Sequence, residues 1–358
     1  MSNTQIMKAA FLGCGRVAEH YLHILSTEKI EDLKIVAVCD LNNAKSNSMA
    51  RRLSCQGFTD VNLMIQSHDL DVIFVLTPSG NHFEHAKLIL SNGINVVCEK
   101  PVTMIPEHAL ELQKIATDQG LFCTTVFQNR LNPAMLAAKN AMNLGRLKTI
   151  VSANVRLQWC RYQDYYEDGW HGTWAMDGGV INQQAIHHID ALRWLCGPVH
   201  SVCATSANRI NKLEAEDTLT AILKFESGAL ATIEATTAAR PEDFEASLSI
   251  IGEAGKIQIG GIALNKIEQW RFIEYTDFDL SVQERCSTDV PNGYGLSHTQ
   301  FLRNLVNSFL HNLEPEVSIQ SALPTLELVH ALYASVETGG WVYLDDRPRS
   351  SKLGIKLS

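Results

Sequence analysis

The chain has 358 residues, 46% hydrophobic and 19% charged, with a formal net charge of -9. That length exceeds one small core and fits about two domains, each able to bury a sizeable interior. An acidic chain without a basic cluster argues against nucleic acid and anionic membrane surfaces as partners.

The opening stretch, "MSNTQIMKAAFLGCG", lacks the long apolar core and small-residue cleavage site of a secretory signal. No apolar run approaches the roughly 20 residues needed to span a bilayer. The nine cysteines are an odd number with no CxxC pair. They suit free thiols in a reducing cytoplasm better than a disulfide framework or a zinc site, so no metal is expected.

Residues 8–13, 33–40, 71–78, 94–101 and 121–128 read as strands buried on both faces. Helical patterns such as "RVAEHYLHILST", "NHFEHAKLILSNG" and "PEHALELQKIATDQG" lie between them. This alternation predicts a doubly wound parallel sheet of the Rossmann kind over residues 1–128. After residue 128 the strand-like segments come close together: "KTIVSANVRLQW", "VHSVCATSANRI", "DTLTAILKFE", "GALATIEATT", "EASLSIIG" and "KIQIGG". They predict a largely antiparallel open sheet in an α+β domain over 129–358, interrupted by helices near 179–196 and 294–312. A last helical pattern begins at Ser321, and no low-complexity linker separates the domains.

"FLGCGRVAEHYLHIL" places Gly13, Gly15 and Ala18 at the first strand-to-helix turn, in GxGxxA spacing. Gly13 permits the turn, Gly15 lets a pyrophosphate approach the backbone, and Ala18 lets the helix sit close to the sheet. The helix N-terminus offers N–H groups and its dipole to phosphate. Asp40 ends the second strand, where an acid accepts hydrogen bonds from a ribose and repels a 2'-phosphate. Leu41, Asn42 and Asn43 follow it rather than an arginine, so NAD is expected over NADP.

"CEKPVT" puts Glu99, Lys100 and Pro101 after another strand, at the end where open α/β sheets bind ligands. "DGGVINQQAIHHID", from Asp177 to Asp190, is polar beyond what a core helix needs. Together with "LTPSGNHFEHA" and "EAEDTLTAILKFESGALATIEAT", these motifs closely resemble the Gfo/Idh/MocA family of oxidoreductases over nearly the whole chain. The resemblance implies an NAD-dependent dehydrogenase acting on CH–OH groups. It implies a cofactor surface made by Gly13, Gly15, Arg16, Val17, Asp40, Thr77, Pro78, Asn81, His82, Glu99, Lys100 and Gln128. It also implies that Gln183, His187 and Asp190, at helical spacing i, i+4, i+7, share a stripe facing the nicotinamide.

His187 is then the expected general acid/base, and Lys100 approaches the same point from the other domain as the donor that stabilises an alkoxide. Gln183 stands where inositol dehydrogenase-like members carry a carboxylate, so a neutral amide takes the place of the acid in an Asp–His pair. His188 points about 100° away and is read as structural. A narrower resemblance is to the WlbA/WbpB-type UDP-N-acetylglucosaminuronic acid 3-dehydrogenases, through "QNR" at Gln128–Arg130 and "GWHGTW" at 169–174. There His171 replaces an arginine, and Gln183 an asparagine.

That branch implies oxidation of a secondary hydroxyl, at C3, of a UDP-linked N-acetylated sugar uronic acid, in making surface polysaccharide. Arg130, Trp170, Thr173, Gln183, Gln184 and His187 are the expected substrate contacts, with Arg156 and Arg161 as further cations and Tyr165, Tyr166 and Trp174 as possible pocket walls. The alternatives are an inositol or free-sugar dehydrogenase, or a catalytically silent NAD-binding regulator that responds to sugar. A homodimer or homotetramer is expected from the family.

Overall fold

A computed structural model of the chain describes residues 5–356. The chain divides into two compact units: residues through Val126 with His298–Leu323, and Phe127–Ser297 with the residues from Pro324 onward. The expected contiguous division at 128/129 therefore needs correction, because a later segment returns to the first unit.

In the first unit, β1 (Met7–Leu12), β2 (Leu33–Cys39), β3 (Gln56–Phe58), β4 (Val72–Val75), β5 (Asn95–Cys98) and β6 (Cys123–Thr125) form one sheet. Its order is β3-β2-β1-β4-β5-β6, and every pairing is parallel. Helices α1 (Arg16–Thr27), α2 (Asn43–Leu53), α3 (Val61–Ser67), α4 (His82–Ser91) and α5 (Pro106–Asp118) connect the strands. All four residues of β4 are buried, as a parallel strand covered on both faces requires. β3 has only three residues and no apolar run, so sequence periodicity does not reveal it. Strand order reverses between β1 and β4, the crevice where such sheets bind ligands.

The second unit has an eight-stranded sheet. It holds β7 (Ile150–Gln158), β8 (Val199–Ala207), β9 (Thr218–Phe225), β10 (Leu230–Thr236), β11 (Glu245–Gly252), β12 (Gly255–Gly260), β13 (Lys266–Phe272) and β14 (Val342–Tyr343). The order is β13-β12-β11-β7-β10-β9-β8-β14, antiparallel except where β10 runs parallel to β7. β9 alternates, with Leu219, Ala221, Leu223 and Phe225 buried and Thr220, Ile222 and Lys224 exposed. That alternation marks a sheet with one covered face. Helices α6 (Pro133–Asn143), α7 (Val180–Gln183), α8 (Ile186–Cys196) and α9 (Val282–Cys286) belong here, and α8 packs on β7 and β11.

Two further helices follow, α10 (Ser297–Leu310) and α11 (Ile319–Thr338). The returning segment docks beside β6: the Thr124 hydroxyl donates to the Val317 carbonyl at 2.7 Å, and the Thr125 N–H reaches the same oxygen.

The helix expected over 179–196 is broken. Ala185 N–H donates to the Val180 carbonyl five residues back, and the Ala185 carbonyl then starts a new ladder by accepting from Ile189. This wide turn separates α7 from α8, so Gln183 and His187 do not lie on one straight helical stripe.

Candidate active site

In the first unit the expected nucleotide loop is built as its spacing requires. Gly13 has φ +102°, and a Cβ there would lie 2.6 Å from the Leu76 carbonyl oxygen after β4, so the position is closed to any other residue. Gly15 caps α1 with no side-chain hydrogen bond, and a Cβ on it would meet nothing within 4 Å. Open space therefore faces the helix N-terminus, and the N–H groups there have no side-chain cap. Ala18 is fully buried. Asp40 Oδ2 accepts from Cys14 N–H and Oδ1 from Asn42 N–H, both at 2.8 Å, which fixes the carboxylate beside the glycine turn. These features fit a dinucleotide: N–H groups and a dipole for the pyrophosphate, and an oriented acid for the ribose. Arg16 is exposed, and Val17, Thr77, Pro78 and Asn81 are half-buried around the same loops.

His82 occupies a different place. Its ring is buried, with Nδ1 2.7 Å from the Pro101 carbonyl and Nε2 2.8 Å from the Thr77 carbonyl. Burial pushes its pKa down to about 4. A protein carbonyl lies against each ring nitrogen, and the neutral ring donates its single N–H to one of them, which seats His82 between the loops after β4 and β5. Glu99 is likewise buried: Oε1 accepts from the Tyr21 hydroxyl at 3.1 Å, and burial raises its pKa against the pull of Lys100. Lys100 itself is half-buried, and its N–H reaches Glu99 Oε2 at 3.3 Å.

In the second unit, "QNR" forms a 3-10 turn, Gln128–Leu131, whose side chains are buried. Arg130 is not a spare cation. Its Nε donates to Asp190 Oδ2 at 2.7 Å and its NH2 to Oδ1 at 2.6 Å, while Thr325 donates to Oδ1 at 2.7 Å. Asp190 thus faces this turn, which corrects its place on the expected stripe. Arg156 meets Glu234 and Glu245, and Arg161 meets Asp243. The three arginines expected to greet an acidic substrate all answer carboxylates of the fold.

Gln183 and Gln184 are buried and His187 half-buried, edge-on to Phe127 at 5.8 Å. His188 is 1% exposed, stacks edge-on to Trp159, has no hydrogen-bond partner at either ring nitrogen, and is held neutral by burial, with a pKa near 4. The structural reading of His188 fits this surrounding. In the Trp-rich turn, His171 Nδ1 lies 2.6 Å from Asp168 Oδ2, and its ring packs against Trp170 and Tyr165. Burial alone would raise the Asp168 pKa, but His171 lowers it. The Thr173 hydroxyl donates to the Trp170 carbonyl. His171 therefore closes this turn on itself where the narrower resemblance expects an arginine.

Sequence reasoning passed over Glu216 and Tyr333. Both are buried, and Tyr333 donates to Glu216 Oε1 at 3.0 Å. The apolar surroundings of Tyr333 in the sequence carry no sign of a polar partner.

The strand order, the glycine turn and the acid beside it define a nicotinamide-dependent oxidoreductase of the Rossmann class with a second, sheet-based domain. Residues 7–127 match the oxidoreductase family with an NAD-binding Rossmann fold, and residues 135–258 match the GFO/IDH/MocA C-terminal domain. The chain belongs to the Gfo/Idh/MocA family of oxidoreductases, and its cofactor is NAD.

It is similar to the WlbA dehydrogenase of Chromobacterium violaceum, solved in complex with NADH and UDP-GlcNAcA: 33% identity, 96% of this chain and 97% of that one covered, TM-score 0.89. The WlbA dehydrogenase of Bordetella pertussis, solved with the same two ligands, is 30% identical over 95% of this chain and 98% of its own, also at TM-score 0.89. Inositol 2-dehydrogenase of Rhizobium meliloti is 26% identical over 63% of this chain and 68% of its own length.

Proposed function

We propose that the chain oxidises a secondary hydroxyl, at C3, of a UDP-linked N-acetylated sugar uronic acid. The observation that carries this reading is the likeness, over almost the whole chain, to two dehydrogenases solved with UDP-GlcNAcA. Residues of the α7–α8 turn and of the 3-10 turn Gln128–Leu131 support it. Gln183, Gln184 and Asn129 are amides, which hydrogen-bond a hydroxylated, acetamido-bearing sugar without repelling its carboxylate. An aspartate at 183 would repel it.

NAD, when bound, supplies the hydride acceptor. The chain supplies the proton chemistry. A ring nitrogen of His187 takes the hydroxyl proton, and the Lys100 Nζ donates a hydrogen bond to the oxygen as it gains charge. Gln183 orients substrate or ring but, being neutral, cannot stabilise an imidazolium by charge. The work is therefore divided between His187 and Lys100. Gly13, Gly15 and Asp40 hold the dinucleotide. Arg130 acts through Asp190 as a brace of the 3-10 turn.

The test is NADH formation followed by absorbance with UDP-GlcNAcA and with myo-inositol as competing substrates. We expect the sugar nucleotide to lead in kcat/KM, and His187→Asn or Lys100→Met each to lower kcat by about a hundredfold with little change in NAD affinity. The second reading, an inositol dehydrogenase, draws on the curated relative named above. Equal or better turnover of inositol would establish it in place of the first. A native-like rate from His187→Asn would remove His187 from the mechanism.

A further inference from the structure

α7 has four residues, and Gly179 caps it without a side-chain hydrogen bond of its own. Its first N–H groups are nevertheless all answered. Gly179 N–H donates to the Tyr333 hydroxyl at 2.9 Å, Val180 N–H to the Glu216 carbonyl at 3.0 Å, and Ile181 N–H to Glu216 Oε1 at 3.2 Å. Tyr333 in turn donates its proton to Glu216 Oε1. The fit is tight: a Cβ on Gly179 would lie 2.2 Å from the Glu216 carboxyl group. The helix that carries Gln183 and leads into His187 is thus capped by residues from two other elements, β9's approach and α11.

Glu216 is 3% exposed, its Oε2 has no hydrogen-bond partner, and among the described residues no cation pairs with it. The groups around it are mostly acidic. Asp217 and Asp177 act on Glu216 or on Tyr333, and Glu214, Glu337 and Lys352 line the small cavity of about 180 Å³ that Glu216 and Tyr333 also border. Lys352 sits over the Trp174 ring at 5.5 Å.

We propose that Glu216 and Tyr333 form a buried, hydrogen-bonded brace that fixes the Gly179 turn and thereby sets the position of Gln183 and His187. Burial pushes the Glu216 pKa up to about 8, against its hydrogen bonds, so the acid is mostly neutral at pH 7. At higher pH a buried carboxylate beside Asp217 is left without a counter-charge, and the cap loosens. Glu216 is a positioning residue: it acts through the Gly179 turn.

The inference rests on His187 as the base, so the experiment has one arm that does not. Infrared difference spectra of the ligand-free protein, native minus Glu216→Gln, should show a neutral carboxyl band at pH 7 that gives way to carboxylate bands above about pH 8. Carboxylate bands at pH 7 would overturn the brace whatever the substrate proves to be. In turnover, Glu216→Gln should rescue near-native kcat at neutral pH and remove the alkaline fall near pH 8. Glu216→Ala should lower kcat about tenfold with NAD affinity unchanged. If the alanine variant does not fold, Tyr333→Phe, which removes the acceptor for Gly179, should lower kcat in the same direction. An alkaline fall identical in native and glutamine variants, or native kcat in Tyr333→Phe, would also overturn the proposal. Loss of all turnover with UDP-sugars in the native protein, with the neutral band present, would sink the substrate reading and leave the brace standing.

Discussion

Asp40 does two things with one carboxylate. It holds the glycine turn through Cys14 N–H and presents its remaining lone pairs at the end of β2. A negative charge fixed there disfavours a 2'-phosphate, so NAD should bind well ahead of NADP. Asp40→Ala should narrow that gap by about tenfold, the worth of one charge-assisted hydrogen bond, and should weaken NAD as well because the turn loses its acceptor. Titration calorimetry with both cofactors measures this, and equal native affinities would refute the ribose assignment. The sequence shows Asp40 at its place because the acid follows a strand that follows a fingerprint. It does not show that Arg130 is already committed, since the partner Asp190 lies 60 residues away. Polar residues in a motif announce a site, and tertiary pairing decides which of them remain for the ligand.

The break between α7 and α8 is an effect of element geometry. Periodicity over 179–196 reads as one helix, because no proline or glycine interrupts residues 180 to 196. The interruption comes from the wide hydrogen bond at Ala185 and from the foreign cap on α7. Below the turn, Asp190 binds α8 to the 3-10 turn through Arg130 and to α11 through Thr325. The pair is almost wholly buried, at 5% and 1% side-chain exposure. Removing one partner leaves the other charge uncompensated in the interior. Asp190→Ala should therefore cost about 3–5 kcal/mol, measured as a lowered midpoint in urea unfolding. A midpoint unchanged from native would mean that the pair is no staple.

Buried titratable groups should make stability depend on pH in two opposing ways. His20, His82 and His188 have pKa values pushed down from 6.5 to about 4, first by burial. A base whose folded pKa lies below its unfolded value contributes stability that is complete above pH 6.5 and is lost as pH falls through 4. Glu216 has the opposite sign. Its folded pKa, near 8, lies above the unfolded 4.5, so its contribution is complete below pH 4.5 and is lost as pH rises through 8. Thermal unfolding followed across this range should show Tm dropping between pH 6.5 and 4, and His188→Leu should blunt that drop. A His188→Leu protein with the native acid sensitivity would show that His188 is not among the groups responsible.

The sequence by itself determined the family, the parallel nucleotide-binding sheet, the mixed sheet that follows, and the candidate residues Gly13, Gly15, Asp40, Lys100 and His187. The sheets, Gly13, Gly15 and Asp40 are carried by local rules, such as hydrophobic period, glycine spacing or a residue's place after a strand, and local rules are written in consecutive residues. The family, Lys100 and His187 are carried by the resemblance of whole motifs. The tertiary structure alone decided that residues 298–323 rejoin the first unit, that β10 runs parallel to β7, and that Arg130, His82 and His171 answer protein groups. It alone brought Glu216 and Tyr333 under the helix that leads to His187. These depend on burial and on partners distant in sequence, because a buried polar group must find its hydrogen bond wherever the fold places one.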